Sequence, residues 1–322
     1  MDFRSIEHSN TVFASDVDFL TPRRIRFASD IPLVGPFGFD RNPTRIRLRG
    51  VVDAAAESFV RANGAYPDGN HWYVDRRDPF PFSLDEHLPR MARLSIVPEI
   101  VDMVPSASWY ASLANMMVKD AWDGVVQMVW RREQVCYECG SIRMFPKVPA
   151  QSTDNPSYKR LDGHEVWSFN GREETGETVL SGGRMVAVPG VQRLVAIRML
   201  CGRCHETKHL GNARRRGHFE RAFERLGAIN RIDWSPRGEA TPYREEIERK
   251  YATRNRGRAF WALDFAALGG IDLQFKASVR HIGGGVIVQT GKGGEERVKV
   301  RVINADMRQV RDHLVIRPHG WV

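Results

Sequence analysis

The sequence predicts an α+β protein, and three observations carry that prediction. Apolar and polar residues alternate near residue 45 and again beyond residue 270, as in half-buried strands. Between these stretches Trp, Met and Val recur at helical spacing. The only four cysteines form two C-x-x-C pairs, Cys136/Cys139 and Cys201/Cys204, in that middle part. The expected parts are an extended arm (1–44), a small N-terminal β-α-β domain (45–90), a central metal-binding module with flanking helices (104–232) and a β-rich C-terminal domain (233–322).

The arm is broken by Pro22, Pro32, Pro36 and Pro43. Arg45 to Arg49 alternates like a strand, and Asp53 is placed to N-cap a helix through Ala54, Phe59 and Val60. Asn63-Gly64 ends it, Asp68-Gly69-Asn70 turns, and His71 to Val74 returns as a strand. After a Pro-rich linker, Ser106 to Trp130 reads as two amphipathic helices, the second N-capped by Asp120. His164 to Phe169 and Met185 to Val188 read as strands, with a turn over Thr178 to Arg184. Leu194, Ile197 and Leu200, three apart, predict a helical turn running into Cys201. Phe219, Ala222, Phe223 and Leu226 mark a further helix, and Pro242 to Tyr251 another. In the last part, Val286 to Val288 is expected to face Val298 to Val302 across a Gly291–Gly294 turn, and Asp306 to His313 to form a short helix.

At 42% hydrophobic and 27% charged residues, the composition is that of a soluble globular chain. No apolar run approaches the ~18 residues of a membrane helix, and no apolar signal core follows Met1. A cytoplasmic protein without a membrane partner is therefore expected, and there C-x-x-C pairs read as metal sites rather than disulfides. Net charge is +9. Ten Arg or Lys stand against three Glu between Arg193 and Arg231, and Arg214-Arg215-Arg216 has no acid within three residues. Such a basic face points to phosphate backbones. The candidate nucleic-acid contacts are Arg193, Arg203, Lys208, Arg214, Arg215 and Arg216, with DNA the expected partner and a protein partner open through either terminal domain.

Two thiolates on one tight turn, twice over, complete a tetrahedral Zn²⁺ shell. Cys136, Cys139, Cys201 and Cys204 are thus the expected structural zinc ligands. His205 and His209 are four apart, so on a helix leaving the second knuckle they share a face. A knuckle feeding such a helix has the outline of a treble clef, and His164 lies between the knuckles on a strand.

Together, C-x-x-C, then His164-Glu165-Val166-Trp167, then Leu200-Cys201-x-x-Cys204-His205-x-x-Lys208-His209, resemble the zinc-knuckle branch of the HNH endonucleases over roughly residues 104–232. The resemblance implies a ββα-metal fold clasping a catalytic Mg²⁺ or another divalent ion. It implies His164 as general base, with Glu165 as the other catalytic candidate, and His205 and His209 as ligands of that ion. Two positions depart from the pattern: Gly163 stands where a metal-binding Asp or His is usual, with Asp162 or Glu165 as substitutes, and Arg193 where the middle Asn is expected. The N-terminal unit resembles a small domain of unknown function that precedes such modules, through its Ala-rich helix, Gly64-Ala65 and Trp72-Tyr73-Val74. These departures leave a catalytically inactive zinc module as the alternative. A third reading takes His205-Glu206-Thr207-Lys208-His209 as the H-E-x-x-H of a metallopeptidase, but it abuts Cys204 and precedes a basic helix.

Overall fold

The structure, a computed structural model, describes residues 23–24, 45–75, 82–93, 95–96, 111–140, 161–170, 177–181, 184–188, 190–230, 245 and 262–320. The arm expected over 1–44, apart from Arg23–Arg24, and the helix expected over Pro242 to Tyr251, apart from Glu245, lie outside those residues. Helices and sheets are both present, and no described helix is long and apolar enough to cross a membrane.

Strand β1 (Arg23–Arg24) pairs antiparallel with β5 (Ser95–Ile96). The first unit holds β2 (Arg45–Arg47), α1 (Ala54–Ala62), β3 (Tyr66–Asp68) and β4 (His71–Asp75). The Asp53 carboxylate accepts from the Ala56 N–H at 2.8 Å and caps α1, satisfying a helix-start donor that would otherwise be orphaned. Gly64, at φ +85°, turns the chain back. The expected β-α-β unit is corrected to β-α-β-β, because Tyr66 to Asp68 also pairs, giving an antiparallel sheet β2-β4-β3. Its own small core holds Leu48, Val60, Trp72, Val74, Leu84 and Leu88.

Helices α2 (Leu113–Met116) and α3 (Lys119–Glu133) follow. The cap of α3 is Val118, so Asp120 sits in its first turn, where a carboxylate still favours the positive helix end, rather than at the cap. Strands β6 (Leu161–Asn170) and β9 (Val191–Cys201) are antiparallel, with a hairpin, β7 (Glu177–Ser181) and β8 (Arg184–Val188), between them. The expected turn at Thr178 to Arg184 is thus largely strand. The expected helical turn before Cys201 is also strand, and its three-residue period has a clear origin. Trp167 lies opposite Leu194 but Val166 opposite Ala196, so Val195 is an extra residue. That bulge shifts the alternation by one and puts Leu194 and Ile197 on one face.

Helices α4 (Gly202–Lys208), α5 (Leu210–Arg215) and α6 (Phe219–Asn230) continue from β9. The last part contributes β10 (Ala262–Asp264), β11 (Leu273–Phe275), β12 (Val279–Gly283), β13 (Val286–Thr290), β14 (Glu296–Ile303), β15 (Ala305–Val310) and β16 (His313–Pro318). The hairpin at Gly291–Gly294 forms, with Ile287 opposite Val300. The helix expected over Asp306 to His313 is instead β15, paired along its whole length with β16.

β10 lies parallel to both β9 and β14, so one six-stranded sheet runs β12-β13-β14-β10-β9-β6. The boundary expected near residue 233 is therefore crossed by a sheet, and also by a single core from Ala111 to Ile316. Leu263, Val302, Phe265 and Phe275 lie at its centre and are all but inaccessible.

The two faces of β6 meet different partners. A Cβ on Gly163 would come within 2.6 Å of Val126 Cγ2, so this face lies hard against α3. Gly163→Ala is expected to cost about 1–3 kcal/mol through that overlap. A urea midpoint lowered at unchanged slope would show it. His164 points from the opposite face, toward α4.

Candidate functional site

Two short loops bring the thiols together. Val135 to Gly140 follows α3, and the Tyr137 N–H donates to the Met199 carbonyl at 2.8 Å, tying the first knuckle to the end of β9. Cys201 ends β9 and Cys204 lies on the first turn of α4. All four cysteines are buried and unbridged, and their sulfurs lie within 4.8 Å of one another. The Cys139 and Cys201 sulfurs are 3.7 Å apart. Two sulfurs at ~2.3 Å from one tetrahedral ion would be about 3.8 Å apart, so the donor set fits a metal ion such as zinc. Burial pushes the Cys136 thiol well up, whereas hydrogen bonds from Cys136 and the other thiols hold Cys201 well down.

Arg225 of α6 donates to Cys204 Sγ at 3.5 Å. Burial alone would lower its pKa, but the thiolates of Cys204 and Cys139 more than offset that. No local motif marks this residue, because the contact joins two helices and 21 residues of chain.

Beside the thiols lie the three imidazoles. His164 comes from β6, His205 from the middle of α4 and His209 from its C-terminal cap. Ring centroids are separated by 5.1 Å (His164–His205), 5.3 Å (His164–His209) and 4.9 Å (His205–His209). One ligand nitrogen from each lies within 4.8 Å of the others. The Nε2 atoms of His205 and His209 are 3.2 Å apart. Two nitrogens at 2.0–2.1 Å from one ion subtend about 3.3 Å, so this pair also has ligand spacing. The Asp162 carboxylate lies 3.3 Å from His205 Nδ1. Accepting a hydrogen bond from Nδ1–H there fixes the tautomer that leaves Nε2 open for a cation. His164 is buried (3% exposed) and forms the floor of the cluster.

The other expected site residues fall as follows. Glu165 is one residue from His164, hence on the opposite sheet face, and accepts from Ala114 N–H (3.1 Å) and Trp167 Nε1–H (3.0 Å). This removes it from the imidazoles. Burial pushes its carboxyl up to about 7. A raised carboxyl favours the fold below its unfolded value near 4.5, and that contribution is lost as pH rises through 7. Wild-type stability is therefore expected to fall by about 3 kcal/mol between pH 4.5 and 8. Glu165→Gln should flatten that slope, as urea titrations at several pH values would reveal.

Lys208 is not a nucleic-acid contact. It is 1% exposed, and its Nζ lies 2.8 Å from Glu138, which also takes Arg90 at 3.0 Å. Burial would raise the Glu138 carboxyl, but these two cations hold it at about 2. The basic residue following the second knuckle thus fastens α4 to the first knuckle, a role hidden from charge counting.

Arg193 is ion-paired with Asp264 at 3.3 Å. It also lies five residues along β9 from Arg198, the residue opposite His164, roughly 16 Å away. The position resembling the middle Asn is therefore outside the imidazole cluster. Arg203 is half-buried on α4, while Arg214, Arg215 and Arg216 are exposed at and just beyond the end of α5. The Arg214 guanidinium rests over Phe219 at 4.6 Å, and Arg215 donates to Asn212 at 2.8 Å.

No family model, no curated protein and no solved structure matches this chain. What can be said of its chemistry comes from the residues themselves.

Proposed function

We propose that the chain is a metal-dependent, HNH-like endonuclease that hydrolyses phosphodiester bonds in nucleic acid, with DNA as the expected substrate. The observation that carries this reading is the convergence of His164 with the His205/His209 pair beside a four-thiol site. In the proposed arrangement Zn²⁺ sits among Cys136, Cys139, Cys201 and Cys204, where it fastens the knuckles to β9 and α4. A second divalent cation, Mg²⁺ or a similar ion, would lie between His205 and His209 and supply positive charge to the scissile phosphate.

In this reading His164 is the general base. A neutral imidazole at the floor of the cluster accepts the proton of the attacking water as its oxygen bonds to phosphorus. The leaving sugar oxygen takes its proton from solvent, which reaches the site past His205 and His209, both incompletely buried. Asp162 holds His205 in register. Arg214, Arg215 and Arg216, exposed one short helix beyond His209, would contact neighbouring phosphates.

Two features bear on the rival readings. The Glu206 carboxylate accepts from His218 (2.9 Å) and Arg221 (2.9 and 3.0 Å). It is thus engaged away from the imidazoles, which disfavours the H-E-x-x-H peptidase. Arg193, locked to Asp264, leaves the site without the residue the HNH pattern expects, and this favours a binding module without activity as the second reading.

Supercoiled plasmid incubated with the zinc-loaded protein and Mg²⁺ or Mn²⁺ separates them. The nuclease reading expects nicked and linear product that depends on the added ion and vanishes in a His205→Ala/His209→Ala variant. Background-level nicking by wild type with every divalent ion would leave only the binding module.

A further inference from the structure

The histidines occupy one end of a long sheet face, and strand register shows what occupies the other. Counting by twos along β6 from His164 leads to residue 170, opposite Val191 of β9. Val191 lies opposite Ala262 of β10, and Ala262 opposite Arg301 of β14. Arg301 lies opposite Val286 of β13. Two residues back on β14, Lys299 lies opposite Val288, which lies opposite Arg280 of β12. Directly opposed residues share a face. Hence Arg280, Lys299 and Arg301 stand on the same face as His164.

Their setting differs from that of the other cations nearby. Arg308 and Arg317 share Asp272, and Arg297 is held by Glu295. Among the described residues no carboxylate lies within ion-pair reach of Arg280, Lys299 or Arg301. Arg280 and Lys299 are exposed and Arg301 is half-buried. Glu296, at the start of β14, is the single acidic residue of β12, β13 and β14. Between the cations lie Val286 and Val288, with Ile282 nearby at 56% exposed. These strands contain no Phe, Tyr or Trp on which an unpaired base could stack, and the one imidazole, His281, lies next to Arg280 on the strand and so on the other face. Flexible cationic stems over small aliphatic side chains suit the sugar–phosphate backbone of a duplex. They offer nothing to splayed bases.

We propose that this face is a second nucleic-acid surface, on which Arg280, Lys299 and Arg301 hold the backbone of a DNA duplex whose other segment reaches the histidine cluster. The proposal rests on the nuclease reading for its second half, and its first half is tested without cleavage. Lys299 and His164 are separated by three strand spacings and by about nine residues of rise, roughly 30 Å. That is close to one turn of B-form DNA at 34–36 Å. Between the two places the same face is covered, with Val191, Ala262 and Ile303 buried, so the duplex would bridge that covered stretch and meet both places on the same side of its helix.

The test is fluorescence anisotropy of a labelled 30-base-pair duplex with zinc-loaded protein and no added divalent ion, across a salt series. Arg280→Gln/Lys299→Gln/Arg301→Gln is expected to weaken binding about tenfold or more at moderate salt. It should also reduce the slope of log K against log salt by about 2–3. An Arg308→Gln/Arg317→Gln control, which removes cations from β15 and β16, is expected to bind within twofold of wild type. Far-UV circular dichroism and zinc content confirm that both variants are folded. Equal binding of the 30-mer by triple variant and wild type overturns the proposal, as does an equal loss in the control. Loss of self-association in place of DNA binding would assign the face to a second copy of the chain and also overturn it. Absence of cleavage in the plasmid assay would leave this binding result unchanged, so the two failures are distinguishable.

Discussion

Cys204→Ser is expected to unfold the central part of the molecule, not merely to weaken it. The four sulfurs join the loop after α3, the end of β9 and the start of α4, and through them the two sides of the core. A structural zinc of this kind contributes about 10–16 kcal/mol of apparent binding free energy. A domain is stable by only about 5–15 kcal/mol in total. Removing one thiolate from a buried set therefore takes away a contribution as large as the whole margin. It also leaves the half-buried Arg225 without the sulfur to which it donates. The expected result is zinc content near zero, loss of the cooperative thermal transition, and the same outcome for wild type after a strong chelator. A Cys204→Ser protein with a wild-type melting temperature and no bound metal would show that the thiols merely pack.

His164→Ala is expected to lower cleavage by about 10²–10⁴-fold, or roughly 3–5 kcal/mol in the barrier, the range a general base contributes. The loss should fall on kcat, with duplex affinity retained, because the base acts only as the water is deprotonated. The ring is buried, so its removal leaves a cavity, and His164→Asn serves as the better-filled companion. Both variants should retain zinc at the thiols. Both should also still bind the exchangeable cation through His205 and His209, whose Nε2 atoms lie 3.2 Å apart and whose Asp162 partner is untouched by the substitution. A variant that lost the exchangeable cation would make His164 a ligand instead. Cleavage within threefold of wild type would remove it from the reaction.

The parts of this arrangement that were legible in the sequence are those encoded locally. A C-x-x-C pair fixes its own turn, two histidines four apart fix a common helix face, and Asp53 announces its helix. What was hidden depends on contacts across the chain. The three-residue spacing of Leu194 and Ile197 imitates a helix because a bulge at Val195 breaks strand alternation, and only the partner strand reveals it. Lys208 reads as a surface cation until the buried Glu138, which also takes Arg90, is seen to hold it. Glu165 reads as a neighbour of the base, yet adjacency on a strand places it on the opposite face. Gly163 reads as a missing ligand, whereas α3 leaves no room there for any side chain. The residue that faces the site from this stretch is Asp162, two positions from His164. The parallel docking of β10 between β9 and β14, which merges the last part of the chain into the central sheet, has no local signature at all.

Counting bound metal per chain tests most directly whether the imidazoles form an ion site of their own. Zinc-loaded protein titrated with Mn²⁺, with elemental analysis for zinc and electron paramagnetic resonance for free Mn²⁺, should give one tightly held zinc and one exchangeable Mn²⁺ in wild type. The His205→Ala/His209→Ala variant should keep the zinc and lose the Mn²⁺. Wild type that takes up no second ion, or a variant that binds it undiminished, would contradict the account.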